Sequence, residues 1–127
     1  MAIVRATESP RFDLPGVHFF GLLAPGRGST ELCTWRLEVD PGAGANGEPH
    51  QLDHEEVFVI LEGSLTITID GQPFDLGAGD ALAVPARSLL SVANRTSAKA
   101  SALVCIQVGF RATMASGEEI GTPPWAV

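Results

Sequence analysis

Apolar and polar positions alternate along most of this chain, and turn-forming residues break the alternation at short intervals. Cys33, Trp35, Leu37 and Val39 fall on one face of residues 31–39, with Thr34, Arg36 and Glu38 on the other. Leu65, Ile67 and Ile69 alternate with Ser64, Thr66 and Thr68, and Asp70-Gly71 then reads as a tight hairpin turn. Phe74 and Leu76 follow, before the turn at Gly77-Ala78-Gly79-Asp80. Residues 81–85, 89–93 and 100–110 read as further strands. Residues 57–61 are apolar at every position, which predicts cover on both faces. No helical period survives a dozen residues without Gly or Pro. Roughly eight or nine short strands in sequence predict an all-β domain, a closed barrel or jelly roll.

Outside these strands, turn residues dominate. Pro10, Pro15, Gly16, Gly21, Pro25, Gly26 and Gly28 make the first thirty residues an irregular arm, with one edge strand around residues 17–22. Pro41, Gly42, Gly44, Gly47 and Pro49 mark residues 40–49 as a loop. The expected organisation is one domain over residues 1–127: an N-terminal arm (1–30), a barrel (31–110) and a C-terminal arm (111–127). A chain of 127 residues is long enough to bury its own core without a disulfide or structural metal.

Charge narrows the partners. The net charge is −7, and the eight basic residues (Lys99 and seven arginines) are scattered. Nucleic acid and anionic membranes reward clustered cations, so neither is expected as a partner. Cys33 and Cys105 each sit in an apolar stretch and read as buried, reduced thiols. The first residues lack the basic-then-apolar pattern of a signal peptide, and a cytoplasmic location is the default expectation.

The chemistry-bearing residues fall at regular intervals. Five residues separate Gly44 from His50, six separate Glu56 from Gly63, and five separate Gly79 from Pro85, with Asn94 following. In this register the chain resembles the cupin family, whose motifs run G-(x)5-H-x-H-(x)3,4-E-(x)6-G and G-(x)5-P-x-G-(x)2-H-(x)3-N. The run from Glu55 to Gly63 is its most family-like stretch. The resemblance implies a double-stranded β-helix, the cupin jelly-roll barrel, and a metal held by three histidines and a glutamate. Here His50 and Glu56 stand at two of those four positions, Leu52 and Leu90 at the others, and Arg87 at a family glycine.

That replacement changes the expected chemistry. A resident divalent metal ordinarily takes three or more protein ligands, and leucine offers no lone pair. The expectation is therefore no metal cofactor, with a divalent transition metal left as the alternative on an atypical set of His50, Glu56 and His54. In the family pattern His54 falls in a turn, and His18 has no assigned place near the barrel. Without a metal, His50 and Glu56 face a pocket lined by Leu52, Phe58, Ile60, Leu90 and Val92 and hold a small organic ligand there. They are also the acid–base candidates: burial raises the Glu56 pKa, and a protonated His50 beside it would lower it. Arg36 and Gln107 read as solvent-facing or locally paired, Trp35 as core, and Trp125 as an arm packing on the barrel or on a partner subunit. The apolar outer face of residues 57–61 suggests a homodimer. Three functions follow: a metal-free small-molecule-binding protein, a metal-dependent dioxygenase or isomerase, or a non-catalytic sensor or structural dimer.

Overall fold

The computed structural model describes residues 1–127. Its strands are β1 (Arg11–Leu14), β2 (Val17–Gly21), β3 (Leu32–Val39), β4 (His50–Leu52), β5 (Glu56–Glu62) and β6 (Ser64–Ile69). Next come β7 (Gln72–Gly77), β8 (Ala81–Val84), β9 (Leu90–Ala93), β10 (Ala100–Gln107), β11 (Ala112–Met114) and β12 (Glu119–Gly121). They form two six-stranded antiparallel sheets, ordered β1-β2-β3-β10-β5-β8 and β12-β11-β4-β9-β6-β7. The only helical pieces are three-residue 3-10 turns. No helix is long and apolar enough to cross a membrane.

The alternation read along the chain is the alternation seen. Cys33, Trp35, Leu37 and Val39 are buried, and their intervening neighbours are not. The registers bring Trp35 opposite Val104, Val104 opposite Phe58, and Leu37 opposite Ala102, so one apolar face runs across the first sheet. Asp70 and Gly71 both take positive φ (49° and 84°), the tight turn that closes β6 onto β7.

Two motif glycines have backbone reasons. A Cβ on Gly44 would lie 2.2 Å from the Val92 carbonyl oxygen, and one on Gly63 would lie 2.7 Å from that of Lys99. Both also have positive φ, so both positions exclude a side chain twice over.

The two arms are more ordered than their sequence suggests. Residues 11–21 form a β1–β2 hairpin that extends the first sheet by pairing β2 with β3. Residues 112–121 contribute β11 and β12 to the second sheet, β11 pairing with β4. Trp125 then folds back on its own barrel and stacks on Phe19, with ring centroids 3.7 Å apart and planes 8° from parallel. Cys33 and Cys105 are free thiols. Cys33 lies opposite Ile106 and faces inward, whereas Cys105 lies opposite Thr34 on the outer face.

Candidate functional site

Between the sheets lies a cavity of about 640 Å³, with 14 of its 23 lining residues hydrophobic. The first sheet contributes Val17, Phe19, Trp35, Leu37, Val39, Glu56 and Phe58. The second contributes His50, Leu52, Ser91, Val92, Ala112 and Met114, and Phe110 and Trp125 close the wall.

Glu56 starts β5, opposite Ile106 on one side and Val84 on the other. It is 4% exposed, and its Oε1 has no hydrogen-bond partner. Burial alone pushes its pKa up to about 8, so the carboxyl is protonated at neutral pH. His50 starts β4 and pairs across the sheet with Leu90 and Met114. Burial moves its pKa in the opposite sense, below the usual imidazole value. Charge interaction between the two contributes to neither shift, so the lowering of Glu56 by a protonated neighbour does not occur. At neutral pH the site holds an uncharged acid and an uncharged base.

Of the seven positions expected at the pocket, His50, Leu52, Glu56, Phe58 and Val92 lie on its wall. Ile60 and Leu90 do not; both are 1% exposed and belong to the packed core. Ile60 is two residues beyond Phe58 on the same strand face, a displacement of about 6.6 Å that carries it past the end of the cavity. Leu90 is held between β4 and β6, opposite His50 and Ile69, and its side chain goes into the core.

The atypical metal set is not assembled. His54 Nδ1 is 2.7 Å from Asp53 Oδ1 in the turn before β5, and no three His, Cys, Asp or Glu residues form a metal-binding group. On the cavity wall the candidate donors are His50, Glu56 and, at the mouth, Glu48; the three are not gathered into one group, and Glu56 is enclosed by apolar neighbours. That donor set does not fit a resident divalent ion. His18 is likewise elsewhere, between Asp13 (2.6 Å) and Asp40 (3.1 Å), which together raise its pKa. Arg36 pairs with Glu38 and lies over the Phe20 ring, and Gln107 is exposed.

Several wall residues were not legible as site residues. Trp35 is buried, as a core residue should be, yet it also faces the cavity. Phe19, Phe110 and Met114 carry no motif. Glu48 lines the mouth, where its Oε1 accepts a hydrogen bond from the Ser116 backbone N–H at 2.8 Å. The Trp125 indole N–H is buried without a partner.

Comparison with known proteins gives a consistent picture. The family model described as Cupin domain matches residues 35–106. A Mycobacterium tuberculosis protein named beta-D-galactosidase is 36% identical over 110 residues, covering 84% of this chain and 93% of its own. The polyketide cyclase RemF from Streptomyces resistomycificus has the same fold, with a TM-score of 0.76 at 17% identity over 98% of this chain and 88% of its own. A sugar phosphate isomerase of the cupin superfamily from Silicibacter pomeroyi gives 0.69 at 23% identity over 87% and 78%.

Proposed function

The chain belongs to the cupin domain family, and from that premise we propose that it is a small-molecule-binding cupin that holds an organic ligand between His50 and Glu56 without a resident metal. One observation carries this reading: a buried carboxyl with a partnerless oxygen on the wall of a cavity large enough for a small molecule. An unmade hydrogen bond at such a group costs on the order of 1–3 kcal/mol. A ligand that pairs with Glu56 recovers that cost. The volume and the mostly apolar lining match ordinary ligand sites, which span about 300–1,000 Å³.

The same pair suits proton transfer. A neutral carboxyl can give a proton to an oxygen of the bound molecule, while a neutral imidazole can take one from a neighbouring carbon. Isomerisation or cyclisation fits that pattern, the proton being returned from His50 to Glu56 through solvent.

A thermal-shift screen over uncharged organic compounds, organic acids and sugars tests the reading. At a ligand concentration of about 100 times Kd, binding adds about 2.7 kcal/mol of stability. At least one class is expected to raise the Tm of the wild type and to do so less in Glu56→Ala. No stabilisation by any class would sink the reading. A transition metal near one per chain in untreated protein, lost in His50→Ala, would replace it with the metal-dependent alternative.

A second reading has its own support. Glu48 and Glu56 both line the cavity, and glycoside hydrolysis ordinarily uses two carboxyl groups, one protonated. The relative named beta-D-galactosidase points the same way. Release of nitrophenol from a nitrophenyl β-galactoside, lost in Glu56→Gln, would support it.

The proposal includes a homodimer through the outer face of the first sheet. Val57, Val59, Leu103 and Cys105 form a contiguous half-buried apolar patch there, because β10 pairs with β5 in that register. Sedimentation should give twice the chain mass, and Val59→Arg should halve it; a monomer mass for the wild type removes the dimer.

A further inference from the structure

The cavity lining is unusual in what it contains and in what it lacks. Phe19, Trp35, Phe58, Phe110 and Trp125 are on the wall, five of the eight aromatic residues in the chain. Four of them form a connected surface. Phe19 stacks on Trp125, Trp125 meets Trp35 edge-on with centroids 6.4 Å apart, and Trp35 lies 5.9 Å from Phe110. No lysine or arginine lines the cavity. Its ionisable or hydroxyl-bearing side chains are Glu48, His50, Glu56 and Ser91, and Glu48 is already engaged at the exposed mouth.

Each ligand class meets this wall differently. A carboxylate or phosphate would lose its hydration with no cation to receive it, and an unpaired buried charge is far more costly than a buried neutral group. A sugar would bring several hydroxyls, and each one left unpaired costs about 1–3 kcal/mol. An aromatic ring gains twice on this wall, from apolar area buried and from edge or offset contacts with the indole and phenyl rings.

Taking the barrel as a small-molecule site, we propose that its ligand is an uncharged aromatic compound carrying one oxygen function, such as a phenol or ketone, for Glu56. The aromatic wall supplies the affinity and Glu56 the orientation. Acids and phosphates are disfavoured by the absence of a lysine or arginine, and free sugars by the shortage of polar partners.

The matched pair 2-naphthol and 2-naphthoate tests this, because the two share a ring system and differ in charge at neutral pH. Both are titrated into the full chain at pH 7 by calorimetry, with galactose as a third arm. Expected is binding of 2-naphthol at least about tenfold tighter than 2-naphthoate, and no heat from galactose. Val92→Phe, which narrows the cavity, should weaken 2-naphthol about tenfold while leaving the fold intact by circular dichroism. Both tryptophans line the cavity, so binding inside the barrel should also perturb their emission. Preference for 2-naphthoate or galactose would overturn the aromatic assignment while leaving a ligand-binding barrel in place. Binding by none of the three would also overturn it, and the wider screen then decides whether the barrel binds anything. Tight binding of 2-naphthol unaffected by Val92→Phe, with unchanged tryptophan emission, would place the ligand outside the cavity and reject the proposal.

Discussion

One half of the barrel is filled and the other half is hollow, although the same two sheets build both. In the filled half, Ile60, Leu65, Ile67 and Leu90 are each 1% exposed or less. These four aliphatic side chains come from both sheets and belong to one packed core cluster. In the hollow half, the inward positions of β3 and β5 include Trp35, Leu37, Glu56 and Phe58, and they face a cavity instead of partners. The second sheet there consists of β4, β11 and β12, each three residues long, with Ser91 and Val92 of the four-residue β9 beside them. Short strands cannot supply the long interdigitating rows that fill the other end. The hollow half is closed by the Phe110 and Trp125 segments, and it holds the buried carboxyl that the filled half lacks. Stability is concentrated at one end and binding chemistry at the other.

Core truncations should divide along that line, and they give the largest expected effect. Ile67→Ala removes a fully buried side chain from a close-packed region and should cost about 2–5 kcal/mol. Leu37→Ala removes a side chain that already borders empty space, so fewer contacts are lost, and about 1–2 kcal/mol is expected. Urea unfolding of both variants measures the difference. Equal costs would mean that the cavity is collapsed or filled in solution.

Trp125→Ala is next. The indole stacks on Phe19, and the same segment is tied down by Arg27, which donates to the Trp125 carbonyl oxygen at 2.7 Å. Loss of a half-buried aromatic should cost roughly 2 kcal/mol, below the 3–5 kcal/mol of a fully buried one. It should also speed ligand exchange, because Trp125 is part of the wall. A stability loss without any change in ligand kinetics would make Trp125 a packing residue only.

These contrasts also show what the sequence could and could not reveal. Period-2 alternation made β3 and β6 legible and long apolar runs made β5 and β10 legible, because each is long enough for a pattern to show. The strands β1, β4, β11 and β12 have three or four residues each; β4 and β11 pair with each other across about sixty residues, and β1 and β12 are edge strands in short hairpins with β2 and β11. No local pattern can signal them. His50 and Glu56 were legible because ligand chemistry left them at fixed spacing beside glycines that the backbone requires. Trp35 and Phe19 were not, because an aromatic beside a cavity and an aromatic inside a core look alike in sequence. Ile60 and Leu90 were misplaced for the converse reason: strand parity gives the face a residue points to but not how far along the barrel the cavity extends.

The pH dependence of stability separates the halves by buried charge, since the buried residues of the filled half include no acid or base side chain. Glu56 is protonated in the folded chain up to about pH 8, but ionises near 4.5 when unfolded. Between those values the folded state binds the extra proton, so stability falls as pH rises, by about 1.4 kcal/mol per unit, and the contribution is gone above pH 8. His50 acts oppositely, because its folded pKa is lowered and the unfolded chain takes up the extra proton below pH 6.5. Its effect is therefore confined to acid solution. From pH 6.5 to 8, Glu56 shares the slope with His18, whose raised pKa acts in the same sense, so Glu56→Gln should remove the buried-acid part of the slope in a series of urea-unfolding curves and leave the His18 part. An unchanged slope would mean that Glu56 is not buried as a neutral acid.

The smallest effect belongs to Arg87, which stands where the family pattern has glycine. Its φ is 66°, a left-handed conformation that costs a non-glycine residue about 1–2 kcal/mol. The turn keeps that conformation because the Arg87 backbone N–H donates to the Leu52 carbonyl oxygen at 2.7 Å, tying the segment before β9 to the end of β4. The bond belongs to the backbone, so the exposed side chain can change without breaking it. Arg87→Gly relieves the strain but adds backbone freedom to the unfolded chain, a loss of about 0.5–1 kcal/mol. The two nearly cancel, and Tm should move by no more than a few degrees, upward if at all. Arg87→Val keeps the strain and adds a branched Cβ in a region that such residues avoid, so it should be destabilised by about 1 kcal/mol or more. If Val is tolerated as well as Gly, the turn is not held in the left-handed conformation, and the bond between the Arg87 N–H and Leu52 does not anchor that edge of the hollow half.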